Sequence, residues 1–242
     1  MKNLTENHID FHKYAEKRCQ TCIPLTKIQN LIGKRMLESK LSKPCFYIES
    51  KADVTIMMSL RPKLRRSLGV KITTNAFYIR AVAQAVKKYP LMAAKLDGNH
   101  IRIADAVNVG FAVDAPQGLF VPVIKKADKK TLAEIAELEK ALTEKTRSNK
   151  LTLEDMEVET IALSNLGVYG IDSFIGIVPP PASTILAIGN IISTAVARDD
   201  SAVVRKMVSL SLAVDHRIAN GPYAAKFLNH IVEQLQNPQQ LL

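Results

Sequence analysis

Tryptophan is absent from this chain of 242 residues, aromatic residues make up only 5%, and there are three cysteines. The scarcity of aromatic side chains removes the stacking surfaces on which proteins hold unpaired bases. Proline, glycine or serine interrupts the apolar stretches well before the ~18 residues that a membrane-spanning helix needs. Three cysteines do not form a closed disulfide set, and residues 1–22 lack the apolar core of a secretion signal. We therefore predict a cytoplasmic protein with no nucleic-acid partner and no membrane partner.

Common nucleotide and metal motifs are also missing: the sequence contains no G-x-G-x-x-G, no Walker lysine loop and no H-E-x-x-H. Nucleotide hydrolysis and dinucleotide redox chemistry therefore lose support. The composition is otherwise that of an ordinary globular protein, with 47% apolar residues, 23% charged residues and a formal net charge of +10. The charge fits a polyanionic ligand, but it does not choose among nucleic acid, a membrane surface and a small molecule.

Helical and strand periodicities alternate along residues 23–242, whereas residues 1–22 are polar and aperiodic. We therefore predict an N-terminal arm (1–22) followed by one α/β domain (23–242) with a mixed sheet. Three helices are predicted in the first part of the chain, and they begin near Leu25, after Asp53 and at Thr73. Asp53 is the predicted N-cap of the second helix, which contains an internal Pro62. Strands are predicted over residues 45–52, 107–113 and 119–124, and a hairpin turn over 97–99.

Two helices are predicted in the second half of the chain. One carries Leu132, Ile135, Leu138 and Leu142 among many charges, which we interpret as a solvated face. The other is the clearest helical pattern in the sequence, because its apolar residues recur at the spacing of one helix face. These residues are Ala224, Phe227, Leu228, Ile231, Val232 and Leu235.

The strongest chemical signal is the run Asp215-His216-Arg217-Ile218-Ala219-Asn220-Gly221-Pro222. The preceding strand has apolar residues at even positions, so a continued register puts His216 on its core-facing side. An imidazole in such surroundings stays uncharged near neutral pH and acts as a general base. The alternative is a core histidine that is hydrogen-bonded to the backbone. Asp215 and Arg217 point to the opposite face, where we predict a structural ion pair.

A second signal, Ser164-Asn165-Leu166-Gly167, follows an apolar strand. It does not match the nucleophile elbow G-x-S-x-G, but Ser164 can donate a hydrogen bond to a developing oxyanion. The alternative is ordinary turn chemistry.

A third set has the order H-x3-H, C-x2-C but an irregular spacing for zinc, so we predict no metal site. That set is His8, His12, Cys19 and Cys22.

Several segments, in this order and spacing, resemble the catalytic domain of the 2-oxoacid dehydrogenase acyltransferases, the dihydrolipoamide acyltransferase cores of pyruvate, 2-oxoglutarate and branched-chain dehydrogenase complexes. The resemblance covers about residues 23–242. The segments are Ile23-Pro24-Leu25-Thr26, Lys34-Arg35-Met36, Thr73-Thr74-Asn75, residues 118–124, Lys129-Lys130-Thr131-Leu132, residues 164–174, residues 185–189 and Asp215-His216-Arg217.

The resemblance implies a chloramphenicol-acetyltransferase-like two-layer fold with a mixed β-sheet and flanking helices that forms trimers. It implies acyl transfer between dihydrolipoamide and coenzyme A, with His216 deprotonating a thiol and Ser164 stabilising the tetrahedral intermediate. In this family the two residues meet across a subunit boundary, and Asn220 stands near the intermediate. The contacts to coenzyme A that it implies are Arg61, Thr73, Asp114, Ser164, Asn165, Gly189 and Ile191.

The resemblance also implies partners. The trimers of this family dock into cubic or dodecahedral cores through an apolar tail, here ending in Leu241 and Leu242. The lipoyl group comes from another domain or protein, and decarboxylase and dihydrolipoamide dehydrogenase components join the complex. The sequence departs from the family at Cys45, often a histidine, and at Val158-Glu159, usually paired glycines.

Two alternatives remain open at this point. The first is a structural core subunit that assembles a complex without catalysing acyl transfer. The second is an acetyl-CoA-dependent antibiotic O-acetyltransferase, whose motif has a second histidine where this chain has Asp215.

Overall fold

A six-stranded mixed sheet forms the centre of the fold, as the sequence predicts. The computed structural model describes residues 22–242. In chain order the strands are β1 (Cys45–Asp53), β2 (Lys95–Asp97), β3 (His100–Arg102), β4 (Val109–Phe111), β5 (Val113–Ala115), β6 (Gly118–Phe120), β7 (Val123–Ile124), β8 (Ile161–Asn165), β9 (Thr184–Arg198) and β10 (Ser201–Asp215). The central sheet has the order β1-β10-β9-β8-β4-β7. Strand β8 runs parallel to both of its neighbours, and the remaining pairs of this sheet are antiparallel.

The helices are α1 (Lys27–Ser42), α2 (Thr55–Leu68), α3 (Thr74–Lys88), α4 (Leu132–Arg147) and α5 (Gly221–Gln236). Helix α5 packs on β1 and α3, and α3 also packs on α4. The six apolar residues predicted to form one face of the terminal helix are all buried in α5. Helix α2 continues through Pro62.

Two local predictions are shifted in the structure. The N-cap position of α2 is Val54 rather than Asp53, although the Asp53 carboxylate still accepts a hydrogen bond from the Thr55 backbone N–H at 3.0 Å. The strand predicted over 107–113 is divided into β4 and β5, and the strand predicted over 119–124 is divided into β6 and β7. The division arises because β5 and β6 pair with each other in a separate hairpin outside the central sheet.

The C-terminal tail corrects another expectation. Leu241 is fully buried in its own protomer, at 0% exposure, whereas Leu242 is 51% exposed. The short helical turn Pro238–Leu241 brings Leu241 against the apolar core that includes α5 and α3. Of the two terminal leucines, only Leu242 therefore remains available to a neighbouring molecule.

Within residues 22–242, no helix combines the length and the apolar character that crossing a membrane requires.

Candidate functional site

The turn after β10 carries His216 on the surface of the protomer, not on the core-facing side that the strand register predicts. The strand ends at Asp215, which is buried and whose carboxylate faces Arg217, two residues further along the chain. It accepts hydrogen bonds from the Arg217 backbone N–H at 3.1 Å and from the guanidinium Nε at 2.9 Å. The predicted ion pair between Asp215 and Arg217 is confirmed. Because this pairing bends the chain, His216 leaves the register of β10 and becomes exposed.

Pro44, which directly precedes β1, and Phe46 of β1 fix the position of His216. Its backbone N–H donates a hydrogen bond to the carbonyl oxygen of Pro44 at 3.1 Å. Its imidazole ring meets the Phe46 ring edge-on, with 4.9 Å between ring centroids. No hydrogen bond within the described residues engages the imidazole nitrogens, so both stay available to a substrate.

Cys45, between these two residues, is a free half-buried thiol. Burial raises the pKa of its thiol, and the nearby Asp215 carboxylate raises it further. The thiolate is therefore disfavoured at neutral pH, and Cys45 is a poor nucleophile here.

Ser164 lies near the C-terminal end of β8, as part of the strand rather than beyond it. It is partly exposed, and its hydroxyl makes no hydrogen bond within the part of the chain that the structure describes. This hydroxyl is therefore free to donate to an incoming group. The turn that follows is fixed by Asn165, whose side-chain oxygen accepts a hydrogen bond from the Gly167 backbone N–H at 2.9 Å.

His216 and Ser164 do not share one site within a single protomer. Ser164 pairs with Ala187 of β9, and the next strand places Ser211 of β10 beside Ala187. His216 follows Ser211 by five positions. Asp215, the last residue of β10, follows Ser211 by four positions. With ~3.3 Å per residue along a strand and ~4.8 Å between strands, its Cα atom is about 16 Å from that of Ser164, and His216 is the next residue. Both can contact one thioester only if they come from different protomers.

Asn220 stands at the N-cap of α5, where its side-chain oxygen accepts the Tyr223 backbone N–H at 3.0 Å. This is a preferred residue for that position. Its amide NH2 group has no hydrogen-bond partner among residues 22–242. Asn220 is exposed on the same loop as His216.

Three of the residues predicted to bind coenzyme A gather between α2, α3 and β8. The Arg61 Nε donates to the carbonyl oxygen of Ile72 at 2.9 Å, directly before Thr73. The Thr73 hydroxyl accepts the Ala76 backbone N–H at 2.9 Å and caps α3. Asn165 reaches the same place from β8, because its side-chain Nδ2 donates to Oδ1 of Asn75 at 2.7 Å.

The other predicted contacts are distributed around the turn after Ser164. The Asp114 carboxylate accepts a hydrogen bond from the Tyr169 hydroxyl at 3.1 Å, and this bond raises the pKa of Tyr169. Gly189 and Ile191 lie on β9, beside this turn. The backbone of Gly189 packs directly against Gly167.

Glu139 is a buried residue of this region that the sequence interpretation missed. Its charged helix α4 was expected to be solvated on that face, yet Glu139 is only 7% exposed. Burial raises the pKa of its carboxyl group, although hydrogen bonds from Thr73 and Asn75 oppose the shift. The signal was its spacing, four positions after Ile135 and three before Leu142, which places it on the buried stripe of α4.

Val158 and Glu159, where the family resemblance implies paired glycines, are both unusual. Val158 has a positive φ of 62°, a conformation that β-branched residues avoid. Glu159 is 9% exposed, and its Oε1 has no hydrogen-bond partner among the described residues. Burial raises the pKa of Glu159 to about 7, in spite of the opposing charges of Arg35 and Lys43.

The zinc hypothesis falls largely outside the structure, because His8, His12 and Cys19 precede the described residues. Within residues 22–242, no group of three or more histidine, cysteine, aspartate or glutamate side chains is arranged to hold a metal ion.

Several solved structures that share this fold are acyltransferase cores. One of them is the dihydrolipoamide acetyltransferase of Azotobacter vinelandii, from a study of the role of one serine, one histidine and one asparagine in its mechanism. It superposes with a TM-score of 0.87 at 29% identity, and the match covers 100% of this chain and 99% of that one. The cubic core of the pyruvate dehydrogenase multienzyme complex gives a TM-score of 0.87 at 30% identity, with the same coverage. A chloramphenicol acetyltransferase, 12% identical with a TM-score of 0.52 over 84% of this chain and 94% of that one, confirms the predicted fold alone. The fold is that of the acyltransferase catalytic cores.

The family follows from the sequence comparison. The family described as 2-oxoacid dehydrogenases acyltransferase (catalytic domain) matches residues 17–242, and the chain belongs to this family. The succinyltransferase component of the 2-oxoglutarate dehydrogenase complex of Haemophilus influenzae is 34% identical over 98% of this chain and 58% of its own length. The chain spans about half the length of the curated relatives that it matches.

Proposed function

We propose that the chain transfers an acyl group between dihydrolipoamide and coenzyme A. The observation that carries the proposal is a shared spacing on a shared fold. In the Azotobacter vinelandii enzyme the histidine follows the serine by 52 positions and the asparagine follows the histidine by four, and Ser164, His216 and Asn220 have the same spacing. These residues are the proposed catalytic groups of this chain.

His216 acts as the general base. The ordinary pKa of a thiol lies only about two units above that of imidazole, so a positioned histidine removes the proton as the sulfur attacks. The Ser164 hydroxyl donates a hydrogen bond to the thioester oxygen as it becomes negative. The amide NH2 of Asn220 adds a donor beside His216. The breaking thioester and the forming thioester are chemically alike, so the protein needs chiefly to orient the two thiols.

Each site is formed by two protomers of a homotrimer, one giving His216 and the other Ser164. The separation of about 16 Å inside a protomer between Ser164 and Asp215, the residue before His216, supports this arrangement. A further support is the apolar surface of α1 and the segment before it, where large side chains are more than half exposed and need a partner. These side chains are Ile23, Leu25, Leu31, Leu37 and Leu41.

Coenzyme A binds beside Ser164, where the Arg61 guanidinium keeps N–H groups free for a phosphate. The Thr73 hydroxyl is already engaged inside the protein, so Thr73 contacts the ligand through its other atoms. Asp114, Asn165, Gly189 and Ile191 complete the proposed binding site, at the opposite end of the sheet from His216. The net charge of +10 adds a general attraction for the phosphates.

The lipoyl group is supplied by another domain or protein. Relatives of similar identity are named for acetyl transfer, for succinyl transfer and for the branched-chain alpha-keto acid dehydrogenase complex, so the proposal does not select one acyl group. We also propose that the trimers assemble into a larger core with decarboxylase and dihydrolipoamide dehydrogenase components, in the cytoplasm. The cubic core among the solved structures supports this assembly.

A thioester-exchange assay tests the proposal. With acetyl-CoA or succinyl-CoA and dihydrolipoamide, His216→Ala is expected to lower turnover by at least ~100-fold, the lower end of general-base effects. The matched control is His100→Ala, because His100 is exposed in the separate β2–β3 hairpin. Equal turnover in the two variants would refute the catalytic role of His216. A wild-type chain with no exchange activity would instead favour the structural core subunit.

A further inference from the structure

A chain of partly buried polar contacts runs from α4 to the turn after Ser164. It begins at Glu139, whose carboxyl group accepts a hydrogen bond from the Thr73 hydroxyl and interacts with the side-chain amide of Asn75. The Asn75 Oδ1 then accepts the Nδ2 of Asn165 at 2.7 Å, and the Asn165 Oδ1 accepts the Gly167 backbone N–H at 2.9 Å.

Glu139 sets the direction in which the hydrogen bonds of this series run from donor to acceptor. A carboxylate only accepts hydrogen bonds, so Glu139 takes the NH2 group of Asn75 and leaves the Asn75 oxygen for Asn165. Asn165 must then turn its own NH2 group toward Asn75 and its oxygen toward the Gly167 N–H. If either amide is reversed, two donors face each other in a partly buried place, which is costly.

We propose that Glu139 is a positioning residue of the acyl-transfer site, which orients the Asn165 amide and the end of β8 that carries Ser164. The inference rests on the proposed function, because Asn165, Thr73 and Arg61 are three of the proposed contacts to coenzyme A. Arg61 belongs to the same cluster through its bond to the Ile72 carbonyl.

The location of Glu139 supports a role beyond packing. Its neighbours on the buried stripe of α4 include Leu132, Ile135, Ala136 and Leu142, so an apolar residue would fill this position at no electrostatic cost. This position instead carries a carboxyl group whose ionised form is disfavoured by burial, together with two polar partners, Thr73 and Asn75. The arrangement is costly for stability and useful for orientation.

Glu139→Gln is the first test variant, because it keeps the shape and removes one acceptor. The new NH2 group either faces Asn75, where it forces a donor pair or a reversal of both asparagines down to Gly167, or it faces Thr73, whose hydroxyl then loses its acceptor. We expect kcat/KM for coenzyme A to fall about tenfold, the effect of one lost hydrogen bond in a charged network, while KM for dihydrolipoamide stays unchanged. Glu137→Gln is the matched control, because Glu137 is exposed on the same helix.

A second substitution restores the direction of the chain. In the double variant Glu139→Gln with Asn75→Asp, the carboxylate at 75 accepts hydrogen bonds from both Gln NH2 and Asn165 NH2. We expect kcat/KM for coenzyme A to return to within about threefold of the wild type. A residue that served only packing would not be rescued in this way.

Each outcome has one meaning. An active wild type with normal Glu139→Gln kinetics would overturn the inference and leave the proposed function intact, and so would a loss in Glu139→Gln that Asn75→Asp fails to restore. An inactive wild-type chain would overturn the proposed function first, and the role of Glu139 in acyl transfer with it.

Discussion

Gly167 and Gly189 pack backbone to backbone beside the turn that follows Ser164. A Cβ atom at Gly167 would lie 2.3 Å from the carbonyl oxygen of Gly189, and one at Gly189 would lie 1.9 Å from the carbonyl oxygen of Asp172. Both obstacles are backbone atoms, which do not rotate away as a side chain does. Only glycine therefore fits at positions 167 and 189, and the turn at the end of β8 can pack closely against β9 because neither residue has a side chain.

Gly189→Ala is expected to lower the free energy of unfolding by about 1–3 kcal/mol, the usual cost of overpacking. It should also lower thioester exchange, because the turn beside Ser164 must move. Chemical denaturation and the exchange assay measure the two effects. Gly33→Ala is the control: no atom lies within 4 Å of a Cβ there, and α1 should gain up to ~1 kcal/mol in helix propensity. Equal changes in both variants would contradict the packing argument.

Glu159 should make the protein less stable as the pH rises. Burial raises its pKa from the ordinary value of 4.5 to about 7, so the folded protein holds a proton that the unfolded chain has lost. The free energy of unfolding is therefore expected to fall by about 3 kcal/mol as the pH rises from below 4.5 to above 7. In Glu159→Gln this part of the fall should disappear, as measured by urea unfolding across that range.

Glu157→Gln provides the comparison for Glu159→Gln, because Glu157 is exposed two positions earlier. Its unfolding should follow the wild-type pH dependence. If Glu159→Gln also follows the wild type, the proton on Glu159 does not contribute to the pH dependence of folding.

Substitutions of Leu241 and of Leu242 should affect different properties, the first the stability of the protomer and the second the size of the assembly. Leu241→Ala removes a fully buried side chain and is expected to cost about 2–4 kcal/mol of unfolding free energy. Leu242→Ala should leave the unfolding free energy nearly unchanged and reduce the particle size, measured by light scattering, if the tail docks between trimers. A large particle that persists in Leu242→Ala would remove the tail from the assembly.

The sequence predicts those elements whose periodicity is undisturbed. The buried face of helix α5 is predicted from the sequence, because six apolar side chains at helical spacing leave one arrangement that buries them. The same reasoning predicts α4, but the charges of this helix are interpreted as a solvated face, because a charged residue is ordinarily exposed. Only the packing of α4 against α3 shows that Thr73 and Asn75 provide the partners that make the burial of Glu139 tolerable.

The placement of His216 could not be derived from strand alternation. Alternation describes the chain only while the strand continues, and the Asp215 carboxylate ends β10 by binding Arg217 two residues later. The candidate pair His216 and Ser164 was predictable from motifs, whereas their separation in one protomer depends on the pairing of β8, β9 and β10. Strand order of this kind is a long-range property that local patterns do not contain.

A complementation experiment tests the shared site most directly. His216→Ala and Ser164→Ala chains with different affinity tags are co-expressed, and mixed trimers are purified through both tags. In every mixed trimer about one third of the sites combine an intact His216 with an intact Ser164 from the next protomer. As a control, His216→Ala is co-expressed with the double variant, which leaves no intact pair.

We expect the mixed trimers to regain about one third of the wild-type thioester exchange, while each single variant and the control mixture stay inactive. Mixed trimers as inactive as the separate variants would contradict a site built from His216 of one protomer and Ser164 of another.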